Sequence, residues 1–211
     1  MSGLFVTFEG GEGAGKTTLI EKIGEKLQSL GISVLKTREP GGTVLGEMVR
    51  NILLHKAEVP ICMHAELCLF LASRSQHLEE VIKPALKQQR VVLCDRFNDS
   101  TIAYQGAARG LGMDEVARVC RFMSDGIEPD VTFYLDIEPS LGLKRAKHRN
   151  SGQDRMEAEA LVFHQKIREA YLLLHGRDPK RICLIDALQP QSDVFLQAMD
   201  HLEPHLQQDH V

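Results

Sequence analysis

The chain has no surplus of basic charge: 25 Lys and Arg stand against 29 Asp and Glu, for a formal net charge of -4. That balance argues against a polynucleotide partner, while leaving room for a small basic site that binds phosphates. Cysteine is scarce and odd in number. Cys62, Cys68, Cys94, Cys120 and Cys183 are widely spaced, and three of them lie inside apolar runs. They read as reduced core cysteines of a cytosolic protein, not as disulfides or metal ligands. The nine histidines are scattered, without H-E-x-x-H or Cys-x-x-Cys clustering, so no structural metal is expected. No apolar run approaches the roughly 20 residues that span a bilayer, and the first residues lack a basic segment followed by an apolar signal core. A cytoplasmic protein with no membrane partner is expected. No repeat, linker or low-complexity tract divides the chain. Its 211 residues, 43% hydrophobic, suffice for one sizeable core and are short for two, so a single domain over 1–211 is expected.

What the chain does have begins at Phe8 to Leu19, FEGGEGAGKTTL. Gly10 to Thr17 fit G-x-x-x-x-G-K-[ST], a loop whose backbone N–H groups close around phosphate because its glycines reach torsions other residues avoid. Gly10, Gly11, Glu12, Gly13, Ala14, Gly15, Lys16, Thr17 and Thr18 are the expected nucleotide contacts. Lys16 would reach the β- and γ-phosphates, and the Thr17 hydroxyl would ligate Mg²⁺. A Gly-rich turn can be only a turn, but the context favours the loop. Leu4 to Phe8 is a short apolar strand, and Leu19, Ile20, Ile23, Leu27 and Leu30 recur at helical spacing before a stop at Gly31. The loop thus opens a helix, where free N–H groups and the helix dipole favour an anion.

Ile32 to Lys36 reads as a second strand, ended by Thr37-Arg38-Glu39-Pro40-Gly41-Gly42. Arg38, at a strand's C-terminal end, is either a phosphate contact or a solvated surface residue. Thr43 is expected to cap a helix with Val44, Leu45, Met48, Val49, Ile52 and Leu53 on one face. Pro60 is expected to open a long helix through Leu78. Its stretch from Ile61 to Ala72 is apolar around much of its circumference, so a second subunit or the domain itself covers its outer side. Phe70 and Arg74 share a face of that helix, as recognition groups or as a core Phe and a surface Arg.

Val91 to Cys94 forms a third strand, followed by Asp95 and Arg96. A carboxylate at a strand end beside such a loop can hold Mg²⁺, and the planar fork of an Arg suits phosphate; a structural ion pair is the alternative. Ser100, Thr101, Tyr104 and Gln105 gather hydroxyls, a ring and an amide, which can read a base and sugar or simply form a half-buried helix. Asp114 is expected to cap a helix through Met123, and Val131 to Leu135 to form a fourth strand with Asp136 at its end. The stretch from Leu141 to Arg155 is basic, interrupted by Asn150-Ser151-Gly152. It is a solvated face, or a mobile lid at about 141–155. A helix with Leu161, Ile167, Tyr171 and Leu174, a strand Arg181 to Ile185 and a final helix with Val194, Phe195, Ala198 and Leu202 complete the chain. This alternation predicts an α/β, P-loop NTPase-type three-layer fold: a parallel sheet of about five strands with helices on both faces.

Taken together, FEGGEGAGKT, TREPGGT, FLASR from Phe70 to Arg74, DRFNDSTIAYQG from Asp95 and the basic stretch before Asp154-Arg155 resemble the thymidylate kinase family, in order across nearly the whole chain. The resemblance implies transfer of the ATP γ-phosphoryl group to thymidine monophosphate (dTMP), with Mg²⁺, in a homodimer of the bacterial type with its catalytic arginine in the lid. It implies that Phe70 stacks on thymine, that Arg74 and Gln105 bond its edge, and that Tyr104 crowds the 2′ position. Arg38 and Arg96 would hold the acceptor phosphate, Glu9 and Glu12 would lie near the sugar and metal, and Ser100 and Thr101 would line the pocket. Thr17 and Asp95 are the expected metal contacts, and Lys16, Glu12, Arg96 and Arg149 the expected catalytic set. Arg149 is chosen, with Arg145, Lys147 and Arg155 as the alternatives, because the loop carries no cation besides Lys16 and because it immediately precedes Asn150-Ser151-Gly152, where the chain can bend inward. Two rivals remain at this point. Another P-loop kinase would share the loop without the Tyr104-Gln105 context, and a non-catalytic GTPase-like switch would carry an N-K-x-D motif, which is absent.

Overall fold

The computed structural model describes residues 3–54, 60–147 and 154–207. Five strands, β1 (Phe5–Glu9), β2 (Val34–Arg38), β3 (Val91–Asp95), β4 (Val131–Asp136) and β5 (Ile182–Asp186), form one sheet in the order β2-β3-β1-β4-β5, every pair parallel. The helices are α1 (Lys16–Ser29), α2 (Val44–Leu54), α3 (Met63–His77), α4 (Lys83–Lys87), α5 (Asn98–Thr101), α6 (Met113–Met123), α7 (Pro139–Lys147), α8 (Leu161–Arg177) and α9 (Gln191–Gln207). This is the expected α/β fold, with the expected number of strands.

Strand parity explains the layers. Val6 and Phe8 of β1, Val91 and Leu93 of β3, and Val131, Phe133 and Leu135 of β4 face one side, where α1 contributes Leu19, Ile20, Ile23 and Leu27 and α9 contributes Val194, Ala198 and Leu202. The alternate residues face the other side: Phe5, Val92 and Cys94 pack on Leu78, Ile82 and Ala85, and Tyr134 joins the core of α6 and α8. With side chains alternating at period 2, nearly continuous apolar strands serve two helical layers at once.

Each strand overlaps its expected stretch, but β1, β2 and β5 begin one or two residues later, at Phe5, Val34 and Ile182, and every strand ends one or two residues further on, taking in Glu9, Arg38, Asp95, Asp136 and Asp186. Apolar pattern reports side-chain burial, whereas these polar residues are kept in strand by their neighbours' backbones, as in the registers Phe8↔Asp95 and Arg38↔Asp95. The order reverses at β1, whose neighbours β3 and β4 lead on to different sides. This puts the β1–α1 loop at the crevice where open α/β sheets bind ligands.

Several local expectations are corrected. The helix placed from Pro60 to Leu78 starts at Met63 and runs on through a π-helical turn, Leu78–Ile82, into α4. Asp114 is not the cap of α6; Gly112 holds that position, and Asp114 lies in the first turn paired with Arg177 at 2.7 Å. Thr43 does cap α2, its Oγ1 accepting from the Gly46 N–H at 2.9 Å. The single apolar face expected for α2 is split, because Val49 and Leu53 are buried while Val44, Leu45, Met48 and Ile52 are exposed. All five cysteines are free, as expected, but Cys62 and Cys68 are exposed and are not core residues. Of the stretch read as a lid, residues up to Lys147 form α7, and Arg149 lies outside the described residues.

Candidate active site

The β1–α1 loop is shaped by its glycines at two positions. Gly13 has φ 69°, and a Cβ there would lie 2.1 Å from the Gly142 carbonyl of α7; Gly15, at φ 95°, is the N-cap of α1. The loop therefore closes against α7 and presents the free N–H groups of α1 inward. Lys16 is buried beneath it, Nζ donating to the carbonyls of Gly10 at 3.1 Å and Gly11 at 3.3 Å. Burial and the charge of Arg96 lower its pKa, while Asp95, Glu12 and Glu9 pull it back.

In front of the loop opens a cavity of about 440 Å³. Its lining unites Glu12 to Thr18 of the loop with Arg38, Phe70, Arg74, Asp95, Arg96, Ser100, Thr101, Tyr104 and Gln105. These residues come from five separate segments. Tyr104 and Gln105 arrive on a π-helical segment, Ile102–Ala108, whose first five residues are all buried between α6 and α8. A wider turn sets side chains at angles a 3.6-residue helix does not, and such segments concentrate at functional sites.

Arg96 has φ 72°, a left-handed conformation that costs a non-glycine residue roughly 1 kcal/mol or more. The strain places its guanidinium 5.0 Å from the Tyr104 ring centre, with Nη2 on Glu12 at 2.7 Å and Nη1 on Ser100 at 3.2 Å. Tyr104 stays a phenol, its pKa pushed up by burial. Arg74 is 2% exposed and held in one pose: Nε donates to Glu39 at 2.7 Å, and Nη2 to Thr101 at 2.9 Å and to the Phe97 carbonyl at 3.1 Å. Asp95 Oδ1 is buried with no hydrogen-bond partner among the described residues. An unpaired carboxylate oxygen at a strand end, in the same cavity wall as Thr17, suits a hard cation held directly or through water.

The thymidylate kinase family model matches residues 8–197. The chain belongs to the thymidylate kinase family. It is 49% identical to a thymidylate kinase of Protochlamydia amoebophila over 95% of this chain and 92% of that protein, and 44% identical to one of Bacillus pumilus over the whole of both. The crystal structure of thymidylate kinase from Ehrlichia chaffeensis superposes with a TM-score of 0.77 at 33% identity, covering 96% of this chain and 99% of that one. As a member of this family the chain is an enzyme, a nucleoside monophosphate kinase that phosphorylates dTMP. The rival readings as a different P-loop kinase or a non-catalytic switch are not favoured.

Against the thymidylate kinase expectations, Glu9 alone of the acceptor-side residues does not line the cavity. It lies behind the wall, fully buried, accepting from the Phe97 N–H at 2.7 Å, Ser100 at 2.5 Å and Tyr171 at 2.8 Å. Arg38 lines the cavity while bonded to Glu47 through Nη2 at 3.1 Å. Sequence reading missed Glu39, Arg50, Glu66, Arg109 and Tyr171. Arg50 lines the cavity beside Arg38, with Nη1 on the Pro40 carbonyl at 2.9 Å. Burial and the neighbouring Arg38 lower its pKa, as expected where cations converge. On α2 it looks like any polar-face residue, so no local signal marks it. Tyr171 was seen only as one of the apolar helix positions.

Glu9 carries a pH signature. Burial first, then the charge of Asp99, pushes its carboxyl up from the usual 4.5 to about 7, against the hydrogen bonds of Ser100 and Tyr171 and the charge of Arg96. A carboxyl raised in the folded state keeps a proton that the unfolded chain has released, so its contribution to stability falls as pH rises from the unfolded to the folded value. Between about pH 4.5 and about pH 7.5 the ligand-free protein is expected to lose ~3 kcal/mol of unfolding free energy relative to Glu9→Gln. Denaturant unfolding of both proteins across that range checks it, and parallel pH curves would refute it.

Proposed function

We propose that the chain transfers the γ-phosphoryl group of ATP to the 5′-phosphate of dTMP in one cleft, with Mg²⁺, as a cytoplasmic homodimer. The observation that carries this reading is the single cavity that joins the phosphate-cradling loop to Phe70, Arg74, Tyr104 and Gln105. In it the base of dTMP stacks on Phe70, Arg74 and Gln105 meet the base edge, and Tyr104 bounds the 2′ side of the sugar. Arg38, Arg50 and Arg96 surround the acceptor phosphate, which balances the convergence of three guanidiniums. Ser100 and Thr101 complete the wall, and Glu12 aligns Arg96.

A smaller cavity of about 250 Å³ lies on the other side of the loop, sharing Gly13, Ala14, Gly15, Thr18 and Arg145 with the first. It takes the nucleoside of ATP, so that the loop from Gly10 to Thr18 cradles the donor phosphates between the two compartments. Asp95 and Thr17 fit Mg²⁺, which when bound neutralises charge on the β- and γ-phosphate oxygens. A phosphate monoester has a second pKa of about 6, so the acceptor is largely dianionic at neutral pH and needs no general base. Positioning and charge stabilisation are what the protein supplies, through Lys16, Arg96 and a lid cation.

An ADP-release assay against a panel of monophosphates tests the reading. dTMP is expected to be the best acceptor, and faster turnover of a purine or cytidine monophosphate would overturn it.

The homodimer rests on the outward side of three adjacent helices. Val44, Leu45, Met48 and Ile52 of α2, Met63 of α3, and Val119 and Phe122 of α6 are exposed, and α3 packs against both α2 and α6. Contiguous exposed apolar surface marks an interaction site. Light scattering is expected to give twice the chain mass, and Met48→Glu with Phe122→Glu to give the chain mass; a monomeric wild type at micromolar concentration would sink this assignment.

A further inference from the structure

Glu66 stands four residues before Phe70 and eight before Arg74, so α3 presents all three toward the same end of the cleft. An acid there reads as an exposed helix residue, yet Glu66 is 1% exposed. Its carboxylate receives Gln105 Nε2 at 2.9 Å and Arg109 Nε at 3.1 Å on Oε1, and Arg155 Nη2 at 2.5 Å and Arg109 Nη2 at 3.3 Å on Oε2. Arg109 is fixed in turn by Glu159 at 2.7 Å and by the Phe163 ring, 4.6 Å away. Burial alone would raise the Glu66 pKa, but the hydrogen bonds from Arg109, Gln105 and Arg155 outweigh it and hold it low.

An ionised carboxylate accepts hydrogen bonds and donates none. Only the NH₂ end of the Gln105 amide can therefore face Glu66. The amide oxygen must point the other way. Gln105 lines the cavity, and its Oε1 takes no hydrogen bond from any described residue. The wall thus offers a bare acceptor to the base. Thymine presents an N3–H donor to such a group, whereas cytosine presents a lone pair at N3.

We infer that Glu66 is a positioning residue that sets the orientation of the Gln105 amide and thereby selects thymine over cytosine. This rests on the reading of the cavity as the dTMP site. The two arginines make the inference sharp. In Glu66→Gln, placing the new NH₂ at the Oε2 position would set it against both Arg155 and Arg109 Nη2. Placing it at Oε1 sets it against one arginine nitrogen and against Gln105, whose amide can rotate. The variant amide therefore donates to Gln105, which turns its oxygen inward and offers NH₂ to the base. An NH₂ there suits cytosine N3 and opposes thymine N3–H. Recognition through a buried polar group discriminates strongly, because the wrong partner leaves that group unpaired.

The test is steady-state kinetics with dTMP and dCMP on wild type, Glu66→Gln, Glu66→Asp, Gln105→Met and the double variant Glu66→Gln/Gln105→Met. In Glu66→Gln the ratio of kcat/KM for dTMP to that for dCMP is expected to fall about 10-fold or more, chiefly through KM. Glu66→Asp keeps the carboxylate and should keep most of the ratio even where overall activity drops. Gln105→Met should lose the ratio alone, and adding Glu66→Gln should change it no further. A proportional loss for both substrates in Glu66→Gln, or a further change in the double variant, would overturn the role of Glu66. A wild type with no preference for dTMP over dCMP would instead overturn the reading of the cavity itself.

Discussion

Lys16→Ala is expected to lower kcat by about 10²–10³-fold, the scale seen when one preorganised donor is removed from a developing charge. Lys16 is 8% exposed, and its ammonium feels the charges of Asp95, Glu12 and Glu9. Its Nζ is already aimed by the Gly10 and Gly11 carbonyls, so little reorganisation is needed when phosphate oxygens arrive beside it. A charge held in a water-poor site acts more strongly on a neighbour than the same charge in solvent. The KM for dTMP should move far less, since the contacts proposed for the acceptor phosphate are Arg38, Arg50 and Arg96. Single-turnover measurements with a parallel thermal unfolding curve separate a loss of chemistry from a loss of fold. A folded variant with near-normal kcat would remove Lys16 from the mechanism.

Arg149→Ala is expected to lower kcat on the order of 10³-fold or more with the acceptor KM little changed, as for an arginine finger withdrawn from a phosphoryl transfer. The loop supplies only Lys16, and the basic stretch at about 141–155 is the proposed source of a further cation. Among the described cations there, Arg155 is committed elsewhere, donating to the Leu53 carbonyl at 2.7 Å and to Glu66. Arg145 lines both cavities but donates to the Ala187 carbonyl at 3.1 Å. Arg155→Ala should therefore raise the KM for dTMP, by loosening Glu66, more than it lowers kcat. A normal kcat for Arg149→Ala alongside a collapse for Arg145→Ala would transfer the role to Arg145.

The loop, the strands and their order of appearance were legible in the residues because each depends on local chemistry. Gly13 and Gly15 adopt positive φ for reasons contained in eight consecutive residues, and the apolar strands advertise two buried faces wherever the chain places them. Thr43 as the cap of α2 follows the same logic, its partner only three residues away. The outward half of α2 was not legible. Met48 and Val49 are equally apolar, and only the position of α2 against α3 decides that Val49 is buried and Met48 is 61% exposed.

The candidate site divides along the same line. Lys16, Asp95 and Arg96 could be named as candidates from sequence, because their types and positions suit phosphate and metal chemistry, whereas Tyr104 and Gln105 were singled out by the family resemblance. Several residues that orient them, Glu39 and Glu66 among them, could not be so named. Glu66 bonds to groups 39, 43 and 89 positions away, and Glu39 to Arg74 and His77 at separations of 35 and 38. A buried polar atom must find a partner wherever packing brings one, and packing is settled by the whole sheet and its helices, not by neighbours along the chain. Sequence alone thus determined the phosphate loop and the parallel α/β layering, since these follow from periodicity and local torsion, while the roles expected in the cleft came from the family resemblance. Tertiary structure decided which acids and guanidiniums meet behind that cleft, because only the assembled core dictates where a desolvated charge is answered.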